Sequence, residues 1–376
     1  MTFQPSRARS PRLPPAGWMP DPSETDLERY WDGSRWSART RNRYTRLETG
    51  VVPAAHTPYQ SSYASQYSYV SHSAPRRRGR GIFVTLAIVA VIAGAYVYAD
   101  RAGVAPSVSE VASALAEAAK PDDAQVDFPV FGSTELVNHL ERAMIAQQSS
   151  IDVTYWARTG GVDSVADAMS EAMIQNPYVY AGSYSYRDDT GTVVVEPTYP
   201  YDREEGDRRR VATRSAVTVG VERSGALDTT DQATQVARIH DYIVSAGTYD
   251  YAAFDEINAG QYTDRVQQSQ EAYGLLVEGT AVCNGYAQSF NAMAQEVGLR
   301  SVEVTGSDSS GATGGSHAWN KVLIGGEWLL VDTTWDDSGD QLRSDYLLLG
   351  ADAPILATRT QDSEWVVDAN IYSFVS

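Results

Sequence analysis

Cysteine is almost missing from this chain, with one residue, Cys283, among 376. A single thiol cannot close an internal disulfide, so no bridge framework holds any part of the protein together. Histidine is nearly as scarce, at 5. Two of these, His139 and His240, fall in predicted helices without a cysteine or acidic ligand pattern around them, which argues against a metal centre. Positive charge is short as well: 30 Lys and Arg face 48 Asp and Glu, for a formal net charge of -18. Affinity for a phosphate backbone rests on clustered cations, so a general nucleic-acid binder is excluded. A calcium loop is also absent, because Asp336, Asp337 and Asp340 crowd together without EF-hand spacing or its terminal Glu and read as a solvated turn.

Long apolar runs are lacking except for one, residues 81–99, which follows Arg76-Arg77-Arg78-Gly79-Arg80 and is closed by Asp100-Arg101. At about 1.5 Å per residue it spans roughly 28 Å, close to the thickness of a bilayer core, whereas an uncharged run of this length is uncommon inside a soluble protein. It begins too far along the chain, and is too long, for a signal-peptide core. With the basic cluster on its N-terminal side, the positive-inside rule predicts a single-pass cell-membrane protein with residues 1–80 in the cytoplasm and the remainder outside. The charge divides at the same place, with 13 Lys and Arg against 6 acids in residues 1–80 and 17 against 42 beyond.

What is present sorts into segments. Residues 12–40 hold Trp18, Trp31 and Trp36 around turn formers, and Asp32-Gly33 between aromatic runs predicts a small hairpin with a mini-core. This pattern resembles a short uncharacterised Trp-rich module found at cytoplasmic N-termini of bacterial membrane proteins, and the resemblance implies no chemistry. Residues 41–80 are rich in Tyr, Ser, Gln and Pro without apolar periodicity, the composition of a disordered linker. Beyond the apolar run, residues 100–126 form an Ala-rich stalk. Residues 127–228 predict an α+β module: a helix placing Leu136, Leu140, Ala143 and Met144 on one face, a second helix at 162–175, then β-like runs at 178–186, 192–197 and 211–221, with a charged loop at 202–210. Helical spacing returns over 230–245 and stops at Gly247. A catalytic core is expected over 229–350, with 351–376 packed on it.

Cys283 lies in Gly279-Thr280-Ala281-Val282-Cys283-Asn284-Gly285-Tyr286-Ala287, directly before a helical stripe of Ala287, Phe290, Ala294 and Val297. A buried small hydrophobe is the plain reading of a lone cysteine. At a helix N-terminus, however, the dipole and unpaired N–H groups favour a thiolate and could receive an oxyanion. Next comes Ser316-His317-Ala318-Trp319-Asn320, then Gly325-Gly326, then Val331-Asp332-Thr333-Thr334-Trp335-Asp336, a predicted β-hairpin. Pairing Ile324 with Glu327 sets His317 opposite Thr334 and Asp332 two positions away on the same face, about 7 Å off; a one-residue slip would separate them. An Asp beside a His supports its imidazolium, and a His beside a helix-terminal Cys takes its proton.

These three motifs, over roughly residues 230–340, resemble the core of the transglutaminase-like superfamily, which is papain-related. The resemblance implies an α+β fold: a helix with an N-terminal Cys packed on an antiparallel sheet carrying His and Asp, here preceded by a small α+β module and one transmembrane helix. It implies Cys283 as nucleophile, His317 as general base and acid, Asp332 as orienting carboxylate, and no cofactor. Asn284 departs from the charged residue or Gln of many relatives. Family members often supply a second oxyanion donor upstream of the cysteine, and Tyr249 is the first candidate here, with Tyr251 beside it. Trp319, Asn320 and Trp335 are candidates for pocket walls. The expected activity is thiol acyl transfer on amide bonds of a protein or peptide substrate in the cell envelope, as protease, amidase or cross-linking enzyme. The rival reading is a catalytically idle binding module.

Overall fold

The computed structural model describes residues 119–371 apart from 190, 309–314, 338–341, 363–365 and 369–370, together with five short strands upstream. The chain falls into two compact units, residues 1–60 and 61–376. In the first, β1 (Gly17–Pro20), β2 (Leu27–Trp31), β3 (Trp36–Asn42) and β4 (Glu48–Val51) form an antiparallel sheet in chain order. Trp31 pairs with Trp36 across Asp32-Gly33, so the expected hairpin is there. The sheet runs on to Val51, beyond residue 40 and into the stretch read as linker.

The second unit holds the α+β module and the core. In the module, α1 (Glu135–Ile145) starts at Thr134, whose hydroxyl accepts the Val137 N–H, and buries the predicted face. Then come β6 (Ile151–Asp152), α2 (Thr154–Gly160), α3 (Val162–Gln175), β7 (Ser183–Asp189) and β8 (Thr192–Thr198). Their sheet runs β5-β7-β8-β6, in which β5 (Ser71–His72) adds a two-residue parallel pairing to β7.

One expectation fails in this module. Residues 202–224 are neither a charged loop nor a strand but a helix, α4 (Arg203–Ser224), opened by the Asp202 carboxylate accepting the Glu205 N–H and ended by Gly225 in the left-handed region. Its buried positions, Gly206, Arg210, Thr213, Val217 and Val221, recur every three or four residues. The β-branched Val211 and Val219 that suggested a strand face solvent instead.

The core continues with α5 (Gln232–Ala246), β9 (Thr248–Tyr249), α6 (Tyr251–Asn258), α7 (Asp264–Ser269), α8 (Ala272–Leu276), β10 (Thr280–Ala281) and α9 (Cys283–Glu296). Helix α9 is buried along most of its length. Phe290 and Met293 share one apolar cluster with Val217, Ile239 and Ile243 and with Val322 and Val331 of the main sheet; each such side chain contributes about 1.5–3 kcal/mol of burial. Gly285 is required in its first turn, because a Cβ there would lie 2.7 Å from the Ser269 carbonyl and 2.6 Å from Ala281 Cβ.

The main sheet is antiparallel, in the order β14 (Leu347–Leu349), β13 (Glu327–Val331), β12 (Gly315–Ile324), β11 (Ser301–Asp308), β15 (Arg359–Gln361). Gly325 and Gly326, at φ 60° and 93°, make the two-residue turn that hairpins favour. Ile324 faces Glu327 and Asn320 faces Val331, the expected register. The pairing stops there, so the predicted His317–Thr334 pair is not made. Asp332 leaves the sheet and caps α10 (Thr333–Asp336), its Oδ1 accepting the N–H groups of Thr334 and Trp335, each at 3.1 Å.

Asp336 is also not solvated. It is fully buried, accepts the Asp345 N–H at 2.9 Å and contacts His240 Nε2 at 3.0 Å; Asp340 lies outside the described residues. No helix among the described residues is long and apolar enough to cross a membrane. The apolar run 81–99 and most of the stalk lie outside them.

Candidate active site

Cys283 opens α9 and is partly exposed. The first N–H groups of a helix have no intrahelical partners. His317, on β12, is 6% exposed. Its Nε2 meets Asp332 Oδ2 at 2.7 Å, and Cys283 lies near enough to help raise the imidazole. Residues 34 apart in sequence are thereby joined, because α9 lies against β12 and the hairpin register carries Asp332 to the end of the neighbouring strand.

Electrostatics favour an ion pair at this point. Burial works against the imidazolium, yet the charge and hydrogen bond of Asp332, with help from Cys283, push His317 up to about 9. Burial likewise opposes the Asp332 carboxylate, but the His317 and Arg359 cations beside it hold it down at about 2. The two shifts describe the same contact from both ends.

Arg359 carried no signal in the sequence. It sits on β15, with its side chain 3% exposed, and donates from Nη2 to Asp332 Oδ2 at 2.6 Å. Its guanidinium lies over Trp335 at 4.4 Å, Tyr346 at 5.0 Å and Trp319 at 5.1 Å. Asp332 is therefore gripped by two cations, and the aromatic box holds the second cation flat. Sequence could place β15 only by knowing that residues 359–361 pair with 306–308.

Tyr249 is half-buried on β9, paired with Ala281 two residues before the cysteine. Burial, and then the charge at Cys283, raise its phenol above the ordinary range, so it keeps its proton. Tyr251 packs edge-on against it at 5.0 Å but is itself 71% exposed. Of the three pocket-wall candidates, Trp335 and Trp319 both flank His317, the latter with its ring at 5.8 Å. Trp335 is half-buried, with its ring 5.4 Å from that of His317. Trp319 is core, 1% exposed. Asn320 is fully buried and ties the sheet to α9 through Ala287 O at 3.0 Å and Asn291 Oδ1 at 3.2 Å.

A second residue without a sequence signal is Glu303, opposite Asn320 on β11. It is fully buried, and neither carboxyl oxygen has a hydrogen-bond partner among the described residues. Burial, with the Cys283 charge adding to it, lifts its carboxyl well above the usual range. It sits as a neutral acid behind the nucleophile.

Residues 221–333, a span holding Cys283, His317 and Asp332, match the family model of the transglutaminase-like superfamily. This chain carries a transglutaminase-like domain. Over 90 residues it is 35% identical to the kyphoscoliosis peptidase of Mus musculus, covering 21% of this chain and 13% of the mouse protein. Among solved structures, similarity extends to a TGase (TM-score 0.31, 16% identity, 41% of this chain and 44% of that one). A cysteine protease, described as putative, from Cytophaga hutchinsonii is also similar (TM-score 0.26, 16% identity, 45% of this chain and 60% of that one). The chain thus spans less than two thirds of each of these relatives. Residues 16–55 match a family described only as a protein of unknown function, DUF2510. At the level of the family, the transglutaminase-like domain belongs with thiol-dependent enzymes. Among the described residues no group of three His, Cys, Asp or Glu could hold a metal ion.

Proposed function

We propose that this protein is a thiol acyltransferase or peptidase acting on amide bonds of protein or peptide substrates, with Cys283 as nucleophile. The observation that carries the reading is the buried His317 ring, held by Asp332 at 2.7 Å and raised in part by the thiol at the start of α9. The Cys283 thiolate attacks the amide carbonyl, and the oxyanion is received by N–H groups of the α9 terminus and by the Tyr249 hydroxyl. His317 then gives its proton to the departing amine as the carbon–nitrogen bond breaks, leaving a thioester. A second nucleophile, water or a lysine amine, gives its proton to His317 and displaces the sulfur. Asp332 holds the imidazole in one orientation and supports its charge, and Arg359 holds Asp332.

The same reading anchors the chain in the cell membrane through residues 81–99, with the thiol domain outside and substrates in the cell envelope. Such a span would leave residues 71–72 across the bilayer from β7, so an anchored chain forgoes the two-residue β5–β7 pairing.

The test is alkylation of the full chain by iodoacetamide across pH, native protein against His317→Ala. A thiol reactive well below the free-cysteine range of about 8.5, with that reactivity lost in the variant, is the expected result. A thiol that titrates as free cysteine in the native fold would overturn the catalytic reading in favour of an idle binding module.

A further inference from the structure

The single turn of α10 carries an aspartate at each end: Asp332 opens it and belongs to the thiol site, and Asp336 closes it and is fully buried. Asp336 Oδ1 accepts the Asp345 N–H at 2.9 Å, and its Oδ2 accepts the Tyr346 N–H at 3.0 Å. Behind it stands His240 on α5, also fully buried, with Nε2 3.0 Å from Asp336 Oδ2 and Nδ1 3.0 Å from Asp241 Oδ1. A neutral imidazole has one N–H, so a ring that meets a carboxylate at each nitrogen donates to both only as the imidazolium. Burial opposes that charge, yet the hydrogen bonds and charges of Asp336 and Asp241 raise His240 above its ordinary value. A buried ion pair adds little to stability over an apolar pair of similar volume, so what this one holds in place matters more.

It holds Tyr346. The N–H of Tyr346 goes to Asp336, while its C=O accepts the Asp332 N–H at 3.0 Å. The Arg359 guanidinium lies over the Tyr346 ring at 5.0 Å, and that ring meets Trp335 edge-on at 5.1 Å. Arg359 in turn donates at 2.6 Å to Asp332 Oδ2, the oxygen that holds His317. Tyr346 therefore fixes Asp332 twice, at the backbone and, through Arg359, at the carboxylate. Catalytic groups work only when the residues behind them hold them to within about 0.5 Å, and the anchor at the back of this chain of contacts is the Asp336–His240 pair.

We propose that Asp336 and His240 are positioning residues of the thiol site, an interior carboxylate–imidazolium pair that fixes Tyr346 and, through it, the Asp332 that steers His317. The inference rests on Cys283 being a nucleophile supported by His317, and the experiment separates the two. Alkylation of Cys283 by iodoacetamide is followed by intact mass from pH 5 to 10 in the full chain, with urea unfolding alongside. Asp336→Asn keeps an oxygen for a backbone N–H but removes the charge that faces His240. With Asp332 loosened, His317 supports the thiolate less, and the midpoint of the alkylation profile is expected to rise by about one unit, the worth of one hydrogen bond and roughly tenfold in rate on the acid side. His240→Gln leaves a neutral amide donor near the place of Nε2, so it should move the midpoint the same way by less; it carries the test if Asp336→Asn does not fold. Val165→Ala opens a gap in the fully buried core of the α+β module, lowers stability and should leave the midpoint in place. A lowered native midpoint that neither variant of the pair moves, although stability falls, overturns the positioning alone, and so does an equal shift in Val165→Ala. A native thiol that titrates as free cysteine overturns the nucleophile reading and the positioning with it.

Discussion

Replacing Asp332 by asparagine isolates the charge that holds the imidazolium. The asparagine of Asp332→Asn can still cap α10 with its oxygen, since Oδ1 takes the Thr334 and Trp335 N–H groups, but it turns an NH2 toward His317 and Arg359 in place of Oδ2. His317 stands at about 9, raised by Asp332 against the opposing pull of burial. That lift from 6.5 to about 9 is worth on the order of 3 kcal/mol. Without it burial prevails and the ring falls to or below its ordinary value. At pH 8 the imidazolium fraction then drops from about 90% to about 3% or less, so the thiolate paired with it should alkylate at least tenfold more slowly. The sign is fixed by the same shift: a cation raised in the fold contributes stability in full below pH 6.5, and that stability is lost as pH climbs towards 9. Iodoacetamide rates from pH 5 to 10, with urea unfolding at each pH, read both quantities. Arg359 then keeps only Asp308, at 3.6 Å, as a buried carboxylate partner, a loss of up to about 3–5 kcal/mol, so Asp332→Asn with Arg359→Met serves as the control, expected to recover stability without recovering the thiol's pH profile. A single variant whose alkylation profile superimposes on the native one would refute the electrostatic account.

Other outcomes are equally specific. Tyr249→Phe should slow turnover of an amide substrate by roughly 10²–10³ while leaving iodoacetamide alkylation close to native, because alkylation develops no oxyanion; equal losses in both assays would remove the oxyanion role. Glu141 is lifted by burial to about 7 from 4.5, so its neutral form favours the fold. The native chain should lose up to roughly 3 kcal/mol between pH 4.5 and 7 that Glu141→Gln does not lose, as urea midpoints at pH 5 and 7.5 would reveal; a constant difference between the two proteins sinks the idea. In a Cys283→Ser background, an impermeant maleimide applied to intact cells should label Gln261→Cys, on an exposed loop, and spare Ser71→Cys. Labelling of both would rule out a cytoplasmic N-terminus.

The parts of the site legible from sequence were those fixed by short-range rules. Gly325-Gly326 dictates a two-residue turn, and that turn sets the register carrying Asp332 to the end of the strand beside His317. The same logic overran the strand by one residue, because a side chain able to cap a helix diverted the backbone at Asp332. Helix α4 was misread because its buried stripe includes Gly206, Arg210 and Thr213, so an apolar period is absent. Arg210 is tolerated there because it donates to the Tyr178 carbonyl at 2.8 Å and to Asp207 at 2.8 Å. The capping signals, Asp202 with Glu205 at one end and Gly225 at the other, outweighed the valines. Arg359, Glu303 and the His240–Asp336 contact depend on pairings between distant segments, and no local pattern announces them.

Asp332 serves two masters, since one carboxylate oxygen ends a strand and starts a helix while the other holds the imidazole. A descendant that abandoned chemistry could shed its thiol at little structural cost, yet it would still need this acid to keep the chain folded where the hairpin turns away from the sheet. Where this scaffold recurs, a surviving aspartate at this place therefore reports folding, and the chemistry has to be read from the sulfur and the imidazole.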